Sequence, residues 1–412
     1  MLTNEEKVLT IYADSRSSPT SPSEITPETP LENLNLNWRE KDLPESERTK
    51  HVHRLHPYLG KFIPQLVEIF LRKYFKQSET VLDPFVGSGT TLVQANELGV
   101  NSIGYDISAF NVMLCQVKTA KYDVKQMRIE VLDILKKAKV STHPYKIQGH
   151  LFESDRMEEL ENASKETIDQ YLNEWFAPQA LEELLTYRYL IENGSYKYKD
   201  LMRIILSRSA RSARLTTHFD LDFPKRPQRE PYWCHKHSRT CSPTQEAYKF
   251  LYRYSYDTIK RISDFANLRT NASVRVYHGD SRKMSMPAVD GVITSPPYVG
   301  LIDYHDQHAY SYRLLDLQEN AKHEIGSASK GRNPRAVSQY KQDIVTVLSQ
   351  ALDVMPSGGP IIVVAHDRTE LYPEIAQSLG VQTEATVKRH VNRRTGRRAG
   401  NFYESVFIWR KP

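Results

Sequence analysis

The chain has 412 residues, 39% of them hydrophobic, with a formal net charge of +6 and only three cysteines. That length accommodates one large mixed domain or a catalytic domain with a second lobe. No run approaches the roughly 20 apolar residues of a membrane-spanning helix, and the start MLTNEEKVLTIYADSRSS lacks the pattern of a secretory signal, so a cytoplasmic protein without disulfides is expected.

In chain order, residues 15–35 are rich in Ser, Thr and Pro and predict an arm or tether, partly disordered, within a polar segment 1–50. GKFIPQLVEIFLRKYF carries helical spacing from Leu66 to Phe75, and TVLDPF reads as a buried strand ending at an acidic residue. TTLVQANELG suits a helix closed by Gly99, and NSIGYDIS a second strand ending at Asp106. This alternation predicts an α/β doubly wound sheet with ligand at the carboxyl ends of its strands.

About 150 residues of mostly helical spacing follow, read as an inserted lobe over 123–272. Alternation then resumes with SVRVYHGD, GVITSPPY, a helix around QYKQDIVTVLSQALDVM, the strand PIIVVAHD, a helix near LYPEIAQSLG, and a closing pair TEATVKRHV and YESVFIWRK. The catalytic domain is thus expected in two parts, 51–122 and 273–412.

Two constellations carry chemistry. In Asp83-Pro84-Phe85-Val86-Gly87-Ser88-Gly89-Thr90-Thr91, the glycines allow a tight turn and close backbone approach, and the helix that follows offers free N–H groups. Asp106 stands where an acidic residue accepts from ribose hydroxyls. The spacing matches neither the dinucleotide fingerprint nor the phosphate loop, so an adenosine-containing ligand other than NAD or ATP is indicated. In Thr294-Ser295-Pro296-Pro297-Tyr298, two prolines fix the backbone, so Ser295 Oγ and the Pro296 carbonyl form an acceptor pair for the N–H bonds of an exocyclic amine. Tyr298 would stack on an extruded base. Taken alone, either motif is equally a rigid turn; together they point to one site.

These motifs resemble those of the DNA amino-methyltransferases: Phe85, Gly87 and Gly89 match a Phe-x-Gly-x-Gly cofactor motif, and Ser295 to Tyr298 a catalytic motif whose first residue is Asp, Asn or Ser. HPYLGKFIPQ, with Lys61 and Phe62, resembles the segment packing over the methionine end of the cofactor, and Asp280 in HGDSRKM the acid near its adenine. The resemblance implies a seven-stranded Rossmann-like methyltransferase sheet and S-adenosylmethionine bound through Lys61, Phe62, Asp83, Phe85, Gly87, Gly89, Thr90, Asp106 and Asp280. It also implies base flipping, double-stranded DNA as partner, and most often a restriction system whose nuclease is a separate chain. Ser in the first catalytic position is commoner among N4-cytosine enzymes; N6-adenine and, more remotely, RNA bases remain the alternatives.

Basic residues suggest phosphate contacts. Lys388, Arg389, Arg393, Arg394, Arg397 and Arg398 lie near an expected hairpin loop, and Arg208, Arg211 and Arg214 recur every third residue; in both cases a solvated charged face is the alternative. Cys234, His237 and Cys241 have metal-like spacing, but four ligands are needed and the second Cys-x-x-Cys pair is missing, although His218 could contribute from afar. A packed loop without metal is expected there.

Overall fold

A computed structural model describes residues 9–12, 17–142, 169–221, 224–391 and 402–412. Among them, ten strands are numbered in chain order. These are β1 (Leu9–Tyr12), β2 (Thr80–Asp83), β3 (Asn101–Asp106), β4 (Tyr232–Cys234), β5 (Arg239–Cys241), β6 (Val274–His278), β7 (Gly291–Thr294), β8 (Pro360–Ala365), β9 (Gln382–Val391) and β10 (Phe402–Arg410). Eight form one sheet in the order β1-β9-β10-β8-β7-β2-β3-β6. Every neighbouring pair is parallel except those made by β10, which runs antiparallel to both β8 and β9.

The reason for this arrangement lies in the central strands. β7 and β8 are buried at every position, as strands covered on both faces must be. Along β8, Ile361 and Val363 face the helices Pro334–Asp353 and Leu371–Leu379, while Ile362 and Val364 join a core with the helix Pro64–Tyr74. The two-residue period therefore sorts one apolar run onto two cores. Strand order reverses between β7 and β2, whose carboxyl ends Thr294 and Asp83 carry the two motifs, the place where open α/β sheets take ligands.

The sheet has an eighth strand that sequence patterning did not predict, and it comes from the segment expected to be a polar arm. β1 pairs in parallel with β9, and Ile11, Ile25, Leu31, Leu34 and Leu36 are buried beside the helix Pro64–Tyr74. The tether expectation over 15–35 is corrected for the described residues: sparse apolar side chains, spaced too irregularly to read as an element, suffice when a preformed face receives them.

Between β3 and β6 lie the helices Val124–Thr142, Gln170–Trp175, Pro178–Asn193, Lys199–Ala213 and Tyr248–Ala266, with a short antiparallel hairpin of β4 and β5. Their core is continuous with Phe110 and Leu114 of the helix Ala109–Thr119, and with Val52, Tyr310 and Tyr312. A buried polar link reinforces it: Ser207 Oγ lies 3.0 Å from His56 Nε2 and 2.6 Å from Ser311 Oγ. No helix among the described residues is long and apolar enough to cross a membrane.

Candidate active site

The turn after β2 is built by two glycines in left-handed conformations, φ +48° at Gly87 and +79° at Gly89. A Cβ on Gly89 would lie 2.9 Å from Cys115 Sγ, and one on Gly87 3.1 Å from the Tyr58 hydroxyl. The left-handed conformations demand glycine, and the space beside each is tight. The turn is held from outside: Gly87 N donates to Asp106 Oδ2 at 2.8 Å, and the buried Lys118 donates from Nζ to the Ser88 carbonyl at 2.6 Å. Burial pushes the Lys118 ammonium down to about 7.

Asp106 also accepts from Ser108 N at 2.8 Å and Asn111 Nδ2 at 3.1 Å. Burial raises its carboxyl to about 7, against the opposing pull of these three donors. An ionised carboxylate has about four acceptor positions, so one is left for a ligand hydroxyl. Asp83 behaves differently. It is buried and pushed up to about 6 by that burial, and it accepts from Thr294 Oγ1 at 2.6 Å and Phe85 N at 3.2 Å. It thereby ties the β2 turn to the β7 turn.

A cleft opens between these turns. Of the residues expected to hold a cofactor, Lys61, Phe62, Phe85, Gly87, Thr90, Asp106 and Asp280 line it, joined by Ser295 and Pro297 of the second motif. Asp83 and Gly89 do not reach the wall; they shape it from behind. Lys61 donates to the His53 carbonyl at 2.8 Å, and burial lowers its ammonium to about 8. At Asp280 burial works upward but is outweighed by Arg282, whose guanidinium donates to both carboxylate oxygens at 2.8 and 2.7 Å and holds the acid below its ordinary range.

Sequence reasoning missed several wall residues. Tyr58, Asn111, Tyr304 and Glu324 all line the cleft, with Tyr58 stacked on Tyr304 at 5.7 Å and its hydroxyl accepting from Asn111 Nδ2 at 3.2 Å. Tyr58 stood inside the quoted HPYLGKF segment and was the one available signal; the others lie on helices and loops without a motif.

In the second turn, Ser295 Oγ is buried and faces the Tyr298 phenol without a well-formed hydrogen bond. Tyr298 donates to Glu404 Oε1 at 2.9 Å with its ring 6.1 Å from that of His366, which stacks at 4.0 Å on Phe402. Burial, then the Glu404 charge, push its phenol well above the usual range. Pro296 is buried and, like Tyr298, lies outside the cleft wall.

The basic residues are corrected in part. Arg389 sits within β9 rather than in a loop: it is 5% exposed, its Nε is 3.4 Å from Glu404 Oε2, and its guanidinium lies over Trp38. Lys388 Nζ donates to Ser405 Oγ at 2.8 Å. Both residues belong to the strand read as TEATVKRHV, which β10 pairs as far as Val391. Arg393, Arg394, Arg397 and Arg398 lie outside the described residues. On the helix Lys199–Ala213, Arg208 is buried against Asp257 and Tyr254, and the C-capping Arg214 is buried over Tyr310. Only Arg211 of the three is half-exposed, so the expected stripe is not a surface feature.

The expectation of no metal meets a different finding. His218, Cys234, His237 and Cys241 place their ligand atoms within 4.8 Å of one another, the single such group among the described residues. The missing fourth donor is His218, carried in by the loop after the helix Lys199–Ala213.

Comparisons with known proteins show the family. A DNA methylase family profile matches residues 5–117. The Type II methyltransferase M.MjaII of Methanocaldococcus jannaschii is 37% identical over 89% of this chain and 81% of its own length. M.BsoBI of Geobacillus stearothermophilus, also a Type II methyltransferase, is 23% identical over 72% of this chain and 59% of its own. Among solved structures, TrmN from Thermus thermophilus overlaps with a TM-score of 0.34 at 12% identity, covering 86% of this chain and 50% of that one, too loosely to bear weight. The chain belongs to the Type II methyltransferases of the S-adenosylmethionine-dependent DNA amino-methyltransferase family.

Proposed function

We propose that the enzyme methylates the exocyclic N4 of cytosine at a specific site in duplex DNA. The observation that carries this reading is Ser295 Oγ, a buried hydroxyl on the cleft wall at the start of the Pro-Pro-Tyr turn, which faces the Tyr298 phenol and makes no well-formed hydrogen bond. A buried polar atom left unsatisfied costs about 1–3 kcal/mol, and an N–H of a bound amine would relieve it.

The residues present fit S-adenosylmethionine. The glycine cradle excludes any Cβ, Asp106 retains an acceptor position for a ribose hydroxyl, and the aromatic and cationic groups of Tyr58, Phe62 and Lys61 close the cleft over the remainder. Asp280, which also lines the cleft, is assigned to the adenine end. When bound, the cofactor supplies an electrophilic methyl group. The chain's own residues do the rest. Ser295 Oγ and the Pro296 carbonyl accept the two N–H bonds of the amine and aim its lone pair at the cleft. Tyr298, braced by Glu404, offers a ring for an extruded base, and the amine proton leaves to water.

Serine in the first position of the catalytic motif favours cytosine over adenine. Target reading is assigned to the helices and hairpin within 123–272, and phosphate contacts to Arg211 and the 393–398 basic run, as parts of a modification enzyme whose nuclease is a separate chain. The test is incubation of the purified protein and labelled S-adenosylmethionine with unmodified duplex DNA, followed by digestion to nucleosides. N4-methylcytosine is expected. N6-methyladenine would overturn the base assignment and keep the mechanism; label entering RNA alone would overturn the substrate.

A further inference from the structure

The hairpin of β4 and β5 has almost no core of its own. Of its six strand residues only Cys234 and Cys241 are buried, and Trp233 at its centre is 59% exposed. Two three-residue strands joined by a turn are not stable in water without further support. Something must hold this hairpin, and the pairing register places the support: Cys241 lies opposite Tyr232, so both thiols share one face.

On that face two imidazoles meet the two thiols. His237 Nδ1 lies 3.6 Å from Cys234 Sγ and 3.5 Å from Cys241 Sγ, and His218 Nδ1 lies 3.6 Å from Cys234 Sγ. With zinc at about 2.3 Å from sulfur and about 2.0–2.1 Å from nitrogen, a tetrahedral site has sulfur to nitrogen edges of about 3.5 Å. The three printed edges match that figure. The thiols are free, not joined as a disulfide. No carboxylate belongs to the group, and two sulfurs with two imidazole nitrogens form a donor set suited to zinc and unsuited to magnesium or calcium.

We propose that His218, Cys234, His237 and Cys241 bind one structural zinc ion that fastens the hairpin to the loop following the helix Lys199–Ala213. Binding releases the two thiol protons to solvent and forms two thiolate and two imidazole bonds, a closed site with no position left for water. Tyr232 bears on the geometry: its hydroxyl is 2.9 Å from His218 Nδ1 and accepts from His218 N at 3.0 Å. Coordination takes the ring nitrogen from the tyrosine and leaves the backbone bond, which keeps the loop in place. The ion lies in the inserted segment and takes no part in methyl transfer.

Metal content after gel filtration of the full chain, produced in zinc-supplemented medium, tests this without reference to activity. One zinc per chain is expected, released by a thiol-blocking mercurial and absent from Cys234→Ser/Cys241→Ser. Should that variant fail to fold, cobalt(II) added to chelator-stripped parent protein decides the matter. Tetrahedral absorption saturating at one equivalent and bleached by zinc supports the site. Metal-free parent protein that gives no such absorption overturns it, and the four side chains are then a packed loop.

Discussion

The two turns at the adjoining ends of β2 and β7 are neighbours joined by one hydrogen bond, yet they are built on opposite terms. In the first, two left-handed glycines bend the backbone and partners from other elements hold it, Asp106 on Gly87 N and Lys118 on the Ser88 carbonyl, while the Ser88 hydroxyl is buried without a hydrogen bond. In the second, two prolines fix the backbone, and the buried Ser295 hydroxyl faces the Tyr298 phenol, itself bonded to Glu404. On the function proposed above, the first turn holds the ligand and the second acts on it: a glycine turn lets a ligand approach the backbone closely, whereas a proline turn aims fixed acceptors at a reacting group.

The contrast breaks most sharply at Ser295. Ser295→Ala is expected to lower kcat by about 10²–10³ with little change in cofactor affinity, by single-turnover methylation and titration calorimetry; a fall in affinity instead would place Ser295 in the binding turn. The converse substitution, Gly89→Val, forces a β-branched residue into the left-handed region with its Cβ against Cys115 Sγ. About 1–2 kcal/mol of backbone strain plus the clash predicts at least a tenfold loss of cofactor affinity.

A smaller, pH-dependent effect belongs to Asp106. Its folded value of about 7 lies above the ordinary 3.8, so the folded protein binds a proton that the unfolded chain has released, and stability contributed by this group falls as pH rises from about 4 to about 7. Hydroxyl donors favour the carboxylate, so cofactor affinity should rise with pH, by up to about tenfold per unit, and level off above about 7. Calorimetry across pH checks this, and Asp106→Asn should flatten the profile. Smallest of all, Tyr298→Phe keeps the ring and removes the bond to Glu404; a loss of about threefold to tenfold in kcat/KM is expected from steady-state kinetics. An unchanged value would make the hydroxyl incidental.

The legible part of the site is the part written locally. Strand, turn and helix around Gly87 and Gly89, and the rigid Ser-Pro-Pro-Tyr turn, follow from φ preferences and short-range patterning, and so they could be read in order along the chain. Asn111, Tyr304 and Glu324 could not, because nothing local distinguishes a wall residue from any other polar or aromatic residue on a helix.

The sequence by itself determined the alternation of strand and helix, the parallel sheet it implies and the paired motifs, since apolar periodicity and turn chemistry act over a few residues. Tertiary structure alone decided three things. The N-terminal segment becomes an edge strand because β9 offers it free backbone groups. Arg208, Arg214 and Arg389 go inside because Asp257, Tyr310 and Glu404 are there to receive them. His218 completes a four-donor cluster with residues more than a dozen positions away. In each case the deciding partner is distant in the chain, and a buried charge, an edge strand or a ligand set exists only once folding has delivered that partner.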